Sequence, residues 1–290
     1  MQFIETLIAG LSIGSTYAMI ALGYTMVYGI AKMLNFAHGD VIMVGGYTMY
    51  VTLMNGGHPL VAVLAAIVFC TILGVTIEKI AYKPLRGASP LAVLITAIGV
   101  SYLLQSIAQI IFGSATKTVT VMEFGNLTIG ELSIPIYILV TLACSVVIMV
   151  ALTLFVKYTK TGRAMIAVSE DKGAAQLMGI NVNKIIMITF AIGSALAAIA
   201  GLFMLMKAPS LKNTLGAMPG IKAFTAAVIG GIGSIPGAMV GGLLMGVVEA
   251  IALMIPPLAP YADAIGFVVL IVVLLVRPTG LLGKKRREKV

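Results

Sequence analysis

The hydrophobic pattern of this chain is a series of long unbroken apolar runs separated by short polar intervals. Runs at roughly 3–28, 41–53, 60–81, 91–112, 134–156, 185–206 and 264–276 predict helices within a membrane, because a span needs about 20 mainly apolar residues. One further apolar stretch, roughly 223–255, is broken by Gly230-Gly231-Ile232-Gly233-Ser234-Ile235-Pro236-Gly237. Glycine gives unusual backbone angles and proline removes a donor, so a single helix should not run through. The pattern therefore predicts an all-α, polytopic helical membrane protein of about eight membrane segments, with a broken or re-entrant helix pair near 223–255. The alternating polarity of a membrane β-barrel is absent.

The longest polar interval lies between the fifth and sixth runs, over 157–184. Its charges are Lys157, Lys160, Arg163, Glu170, Asp171, Lys172 and Lys184, a basic excess that places it on the cytoplasmic side. A short amphipathic helix is predicted within it. Ser169 is the expected N-cap, Glu170 and Asp171 sit at the positive end of the helix dipole, and Gly179 supplies a left-handed stop. Ala174, Leu177 and Met178 share one face, with Lys172 and Gln176 pointing the other way. A helix this short is not stable alone in water. Its apolar side is covered either by its own membrane domain or by a groove on a separate protein.

Composition agrees with the pattern. The chain is 60% apolar and 10% charged, without Trp, and a soluble globule of that makeup would expose far too much apolar surface. The formal charge of +9 invites a nucleic-acid reading, but the positive residues lie at membrane edges. Lys79, Lys83 and Arg86 form one basic loop, and Lys284, Lys285, Arg286, Arg287 and Lys289 lie in a basic segment, 277–290, read as a cytoplasmic tail in contact with anionic lipid heads. One interval conflicts with this rule: Lys207–Lys222 carries three Lys and no acid, yet counting spans places it outside. Cys70 and Cys144 both fall in apolar runs and are expected as small core residues.

Few polar residues stand at membrane depth. Asn35-Phe36-Ala37-His38-Gly39-Asp40 lies between the first two runs, where a polar cluster must occupy an interface, a cavity or a helix junction. A lone His with an Asp two residues on is more often a hydrogen-bonded structural group than a proton carrier. Glu249 and Asp263 are the acids nearest membrane depth, and a helix-end role at the interface is expected for each. Candidates for a pathway or helix break are Asn35, His38, Gly39, Gly230, Gly231, Gly233, Gly237 and Glu249. Gly10-x-x-x-Gly14, Ala197-x-x-x-Gly201, Gly237-x-x-x-Gly241 and Gly242-x-x-x-Gly246 permit close helix contact. Catalytic patterns are missing: there is no Gly-x-x-x-x-Gly-Lys-[Ser/Thr] phosphate cradle, no His-Glu-x-x-His and no Gly-x-Ser-x-Gly elbow. No catalytic or metal site is expected.

Three blocks carry a resemblance over nearly the whole chain. Ala174-Ala175-x-x-x-Gly179 resembles the loop of ABC-importer permeases, departing from it at Gly173, where many importers carry Glu. Asn35-Phe36-Ala37-His38-Gly39 and the block beginning Gly230-Gly231-Ile232-Gly233-Ser234 are similar to those of the branched-chain amino-acid permease family in particular. The resemblance implies one permease domain over 1–290, in the inner membrane of a bacterial cell, translocating Leu, Ile, Val or related small amino acids and amides. It implies a coupling helix that involves Glu170, Asp171, Ala174, Ala175, Leu177, Met178 and Gly179. The implied partners are a second related permease, two ABC ATPase subunits that bind the ATP and Mg, and an extracytoplasmic substrate-binding protein. An ion-coupled carrier using Glu249, Asp263 or the His38–Asp40 pair is the alternative, and a passive channel is a third.

Overall fold

The computed structural model describes residues 2–129 and 132–283. The five basic residues at 284–289 named above lie outside the described residues. Eleven helices follow in order among those described: α1 (Gln2–Ala31), α2 (His38–Met54), α3 (Pro59–Ile77), α4 (Pro90–Phe112), α5 (Ile136–Tyr158), α6 (Lys160–Glu170), α7 (Lys172–Leu177), α8 (Val182–Lys207), α9 (Ala217–Gly230), α10 (Ile235–Met254) and α11 (Ala262–Val276). A π-helical turn, Glu78–Tyr82, and a short 3-10 turn, Lys83–Leu85, prolong α3. The strands are two minimal antiparallel pairs: β1 (Lys117–Thr118) with β4 (Ser210–Leu211), and β2 (Asn126–Ile129) with β3 (Leu132–Pro135).

Short polar signals start the helices. His58, Ser89, Thr159, Asp171, Asn181 and Ser234 each accept a hydrogen bond from a backbone N–H of the first turn that follows. Pro stands in the first turn of α3, α4 and α10, where its missing N–H costs nothing. Among the described residues, seven helices are long and apolar enough to cross a membrane, and α9 is a shorter apolar one. The α2 helix has 17 residues, about 25 Å at 1.5 Å per residue, which is short of a ~30 Å hydrocarbon core. In α1, 72% of the most apolar window is inside the protein, against 11% in the α11 span. So α1 is an inner helix, and the exposed Leu275 and Val276 of α11 suit contact with lipid.

The chain forms two compact units. The first comprises Met1–Thr25, Gly125–Thr153 and Lys222–Val290. Within it the glycine stripes of α1 and α10 meet. A methyl at Gly10 would stand 2.9 Å from the Val247 backbone and one at Gly14 2.8 Å from that of Leu243, while Gly242 faces Ala18 and Gly246 faces Gly14. Only residues without a side chain admit this approach. Ser15 donates to the Thr141 hydroxyl at 3.2 Å, and Ser145 to the Ser15 carbonyl at 3.3 Å, joining α1 to α5. The break expected near 230–237 is a tight turn between α9 and α10. Gly231 and Gly233 take φ of 105° and 95°, left-handed values that glycine adopts without strain. Leu281 and Leu282 then donate to the carbonyls of Ile229 and Gly230, both at 2.9 Å.

The second unit comprises Met26–Phe124 and Leu154–Ile221. Its centre is α2, α3 and α8, packed where Gly45 meets Ala198, Gly74 meets Ser194 and Gly201 meets the Ile42 carbonyl. Tyr47 of α2 stacks on Phe112 of α4, with ring centroids 4.2 Å apart. Cys70 is buried here and donates to the Val41 carbonyl. Cys144, expected as a core residue, is exposed on α5, where an apolar side chain can face lipid without cost.

Candidate functional site

The polar interval holds two helices rather than the single one expected. The α6 helix is capped by Thr159, whose hydroxyl accepts from Gly162 N–H at 2.9 Å. It runs through Ser169 to Glu170. Ser169 is therefore not the N-cap; it lies within the last turn of α6 and donates to the Ile166 carbonyl at 2.7 Å. The break comes at Asp171, which is extended at φ −153°, ψ 115°. Its carboxylate accepts from Ala174 N–H at 2.9 Å. The reason is chemical: an ionised carboxylate at a helix start satisfies free N–H groups and also meets the dipole, whereas a mid-helix hydroxyl is satisfied by the carbonyl behind it.

The other end of α7 behaves as the sequence indicated. Gly179 is left-handed at φ 81°. Ile180 N–H reaches the Ala175 carbonyl and Gly179 N–H the Gln176 carbonyl, each at 3.0 Å, the paired arrangement that closes many helices.

The faces of α7 are unequal. Ala175 is buried, and Lys172, on the same face, donates to the Ala31 carbonyl at 3.0 Å. Burial, and after it the charge of Arg86, pulls the Lys172 ammonium pKa below the usual lysine range. Leu177 points the other way and is 90% exposed, and Met178, at the C-cap just beyond the helix, is 82% exposed. Glu170, Asp171, Ala174 and Gly179 are exposed as well. Two adjacent large apolar side chains exposed at the end of a six-residue helix are the kind of surface that marks an interaction site.

The Asn35–Asp40 segment is buried in the second unit. Asn35 accepts from the Tyr82 hydroxyl at 2.9 Å, and His38 is 1% exposed. Gly39 lies against the Gly216 carbonyl, so close that a methyl would not fit. Asp40 stands in the first turn of α2, at the positive end of the helix dipole. It accepts from Ser101 and, at 2.9 Å, from Gln105 of α4. Tyr82, Ser101 and Gln105 went unnoticed in the sequence. The available signal was Ser101 and Gln105 four apart on one face of an apolar helix.

In the first unit, Gly230, Gly231, Gly233 and Gly237 form the α9–α10 turn, with Ser234 capping α10 by accepting from Gly237 N–H at 3.2 Å. Glu249 belongs to an ion cluster in which Lys222 and Glu249 are largely buried while the Asp263 side chain is 52% exposed. Lys222 Nζ lies 3.1 Å from Glu249 Oε2 and 2.5 Å from Asp263 Oδ1. The Tyr17 hydroxyl donates to Glu249 at 2.8 Å, and the Lys222 ammonium sits 5.8 Å from the Tyr17 ring centroid. Glu249 is thus not at a helix end: it lies inside α10, while Asp263 is in the first turn of α11. The cluster accounts for one of the three lysines in the charge conflict seen in the sequence. Lys222 belongs to α9 rather than to a loop, and its charge is matched by two carboxylates.

Residues 6–274 match the family described as the permease component of branched-chain amino acid transport systems. The chain is 44% identical to the "high-affinity branched-chain amino acid transport system permease protein BraD" of Pseudomonas aeruginosa, over 100% of this chain and 98% of that one. It is 42% identical, over the same shares, to the permease protein LivH of Escherichia coli K12. Among solved structures, an ABC transporter described as of metal-chelate type, in an inward-facing conformation, aligns with a TM-score of 0.52 and 15% identity, over 93% of this chain and 85% of that one. That likeness concerns the fold. The chain is therefore a multi-pass permease of the bacterial inner membrane, a member of the branched-chain amino acid transport system permease family.

Proposed function

We propose that this permease carries Leu, Ile, Val or closely related small amino acids and amides into the cytoplasm, with α7 docked in a groove of an ATP-hydrolysing subunit. The observation that carries the docking is the exposed pair formed by Leu177, opposite the face satisfied by Ala175 and Lys172, and Met178 at the C-cap. A short helix with one face packed and one apolar face open is suited to a groove on a partner. The relatives' printed names supply the branched-chain substrate class. The working assembly is this chain with a second related permease, two ABC ATPase subunits carrying ATP and Mg, and an extracytoplasmic binding protein that delivers the solute.

In this reading the two ATPases close on ATP, shift α7, and switch the membrane helices between two discrete packings, one open outward and one inward. Glu170, Asp171, Ala174 and Gly179 flank the docking pair. Ala175 anchors α7 on the permease side.

Leu177→Asp tests the docking. The isolated variant should insert and unfold like wild type, because a fully solvated side chain contributes little to stability. It should fail to co-purify with the ATPase. Retention of the ATPase at wild-type stoichiometry would show that α7 is not the docking element.

A further inference from the structure

The α7 end is tied to its own unit by a closed set of polar contacts that docking does not use. Lys172 opens α7, and its ammonium donates to Ala31, the last residue of α1. Carbonyls in the last turn of a helix lack intrahelical partners, so this bond holds a group that would otherwise need water. Immediately beyond, Lys32 takes φ 58°, a left-handed conformation rare for any residue but glycine. Such a conformation persists only where its surroundings hold it. Its own ammonium turns back to the Gly29 carbonyl at 2.6 Å.

The contacts continue from that turn. Asn35, in the linker to α2, is held by Tyr82. Tyr82 is fully buried and ends the π-helical turn Glu78–Tyr82, and π turns within helices recur at functional positions. Glu78, 2% exposed, opens that turn and pairs with Arg86. Arg86 also donates to Asn183, in the first turn of α8. The chain itself closes the circuit, since α8 follows α7 after Gly179-Ile180-Asn181. The ends of α1, α3 and α8 are therefore joined around α7 by four polar contacts, Lys172–Ala31, Tyr82–Asn35, Glu78–Arg86 and Arg86–Asn183, with short backbone segments between them.

We infer that Lys172 is a positioning residue for transport: it ties displacement of α7 to the C-terminal end of α1, and through Asn35–Tyr82 and Glu78–Arg86–Asn183 to α3 and α8. This rests on the reading of α7 as the ATPase-docking element. Lys172 lies on the face opposite Leu177 and its ammonium is engaged by Ala31, so its loss leaves the exposed Leu177 and Met178 untouched. What fails is the tie to α1. The ATPases then turn over while the membrane helices follow less faithfully.

The test uses the full importer in proteoliposomes, with leucine as the probe. Lys172→Met should retain the ATPase subunits and their hydrolysis rate, while leucine taken up per ATP falls about tenfold, within the usual range of coupling between sites. Lys172→Arg, which keeps a long cationic donor, should recover most of it. Amide exchange across residues 29–35 should quicken in Lys172→Met and not in Lys172→Arg. An intact complex in which Lys172→Met takes up leucine normally per ATP and exchanges at the wild-type rate overturns this inference alone. Loss of the ATPase from the Lys172→Met complex also overturns it, because it would place Lys172 in the docking face. A wild-type complex that holds no ATPase sinks the docking reading, and this inference with it.

Discussion

The α1–α10 contact and the α7 segment are both helix packings, but they are held in opposite ways. In the first, two glycine stripes bring backbones together, and Lys222, Glu249, Asp263 and Tyr17 close an ion cluster beside them. In the second, a six-residue helix rests on one small buried side chain and one lysine hydrogen bond, with its largest apolar residues facing out. The first arrangement has no slack: a methyl would not fit at Gly246, and a largely buried lysine requires its carboxylates. The second can be displaced at the loss of few contacts. Under the proposed coupling, the first would move as a body and the second would receive the push.

The comparison breaks most severely at Lys222. Lys222→Met leaves the Glu249 and Asp263 carboxylates without their shared counter-charge; with Asp263 half exposed, a loss of about 3 kcal/mol, the low end for a buried pair, is expected, read as a lowered unfolding midpoint in detergent. Glu249→Gln should cost clearly less, because Asp263 remains 2.5 Å from the ammonium. Equal losses would mean that the cluster is not balanced as described. Next comes Gly246→Val, which pushes side-chain carbons into the Gly14 backbone. A destabilisation of roughly 1–3 kcal/mol is expected, measured in the same way, and absence of any shift would mean that the stripes do not touch.

The α7 side predicts smaller effects that sharpen the contrast. Asp171→Ala removes the cap of α7 and should loosen it by about 1 kcal/mol, visible as faster amide exchange over 172–178. Ser169→Ala should change that exchange little, within ~0.5 kcal/mol, since the Ser169 hydroxyl serves only its own helix. The reverse order would restore Ser169 as the cap.

Sequence alone determined the class of the molecule. Long apolar runs have one stable environment, and backbone groups within a bilayer must bond internally, so helices followed directly. Gly230–Gly237 announced a break and Gly179 a stop, because those conformations depend on the residue's own freedom rather than on neighbours. Three short blocks were enough to show the family. Only the tertiary structure decided which polar groups belong together. Lys222 looked like a basic loop residue until its two carboxylates came from α10 and α11. Asp40 is held from α4, Asn35 from the turn after α3, and Lys172 reaches Ala31 across 141 positions of sequence. The choice of Asp171 over Ser169 as cap was likewise a contest between two adequate local signals. Such pairings are set by which helix faces approach each other, and helical periodicity in one segment carries no record of its partner.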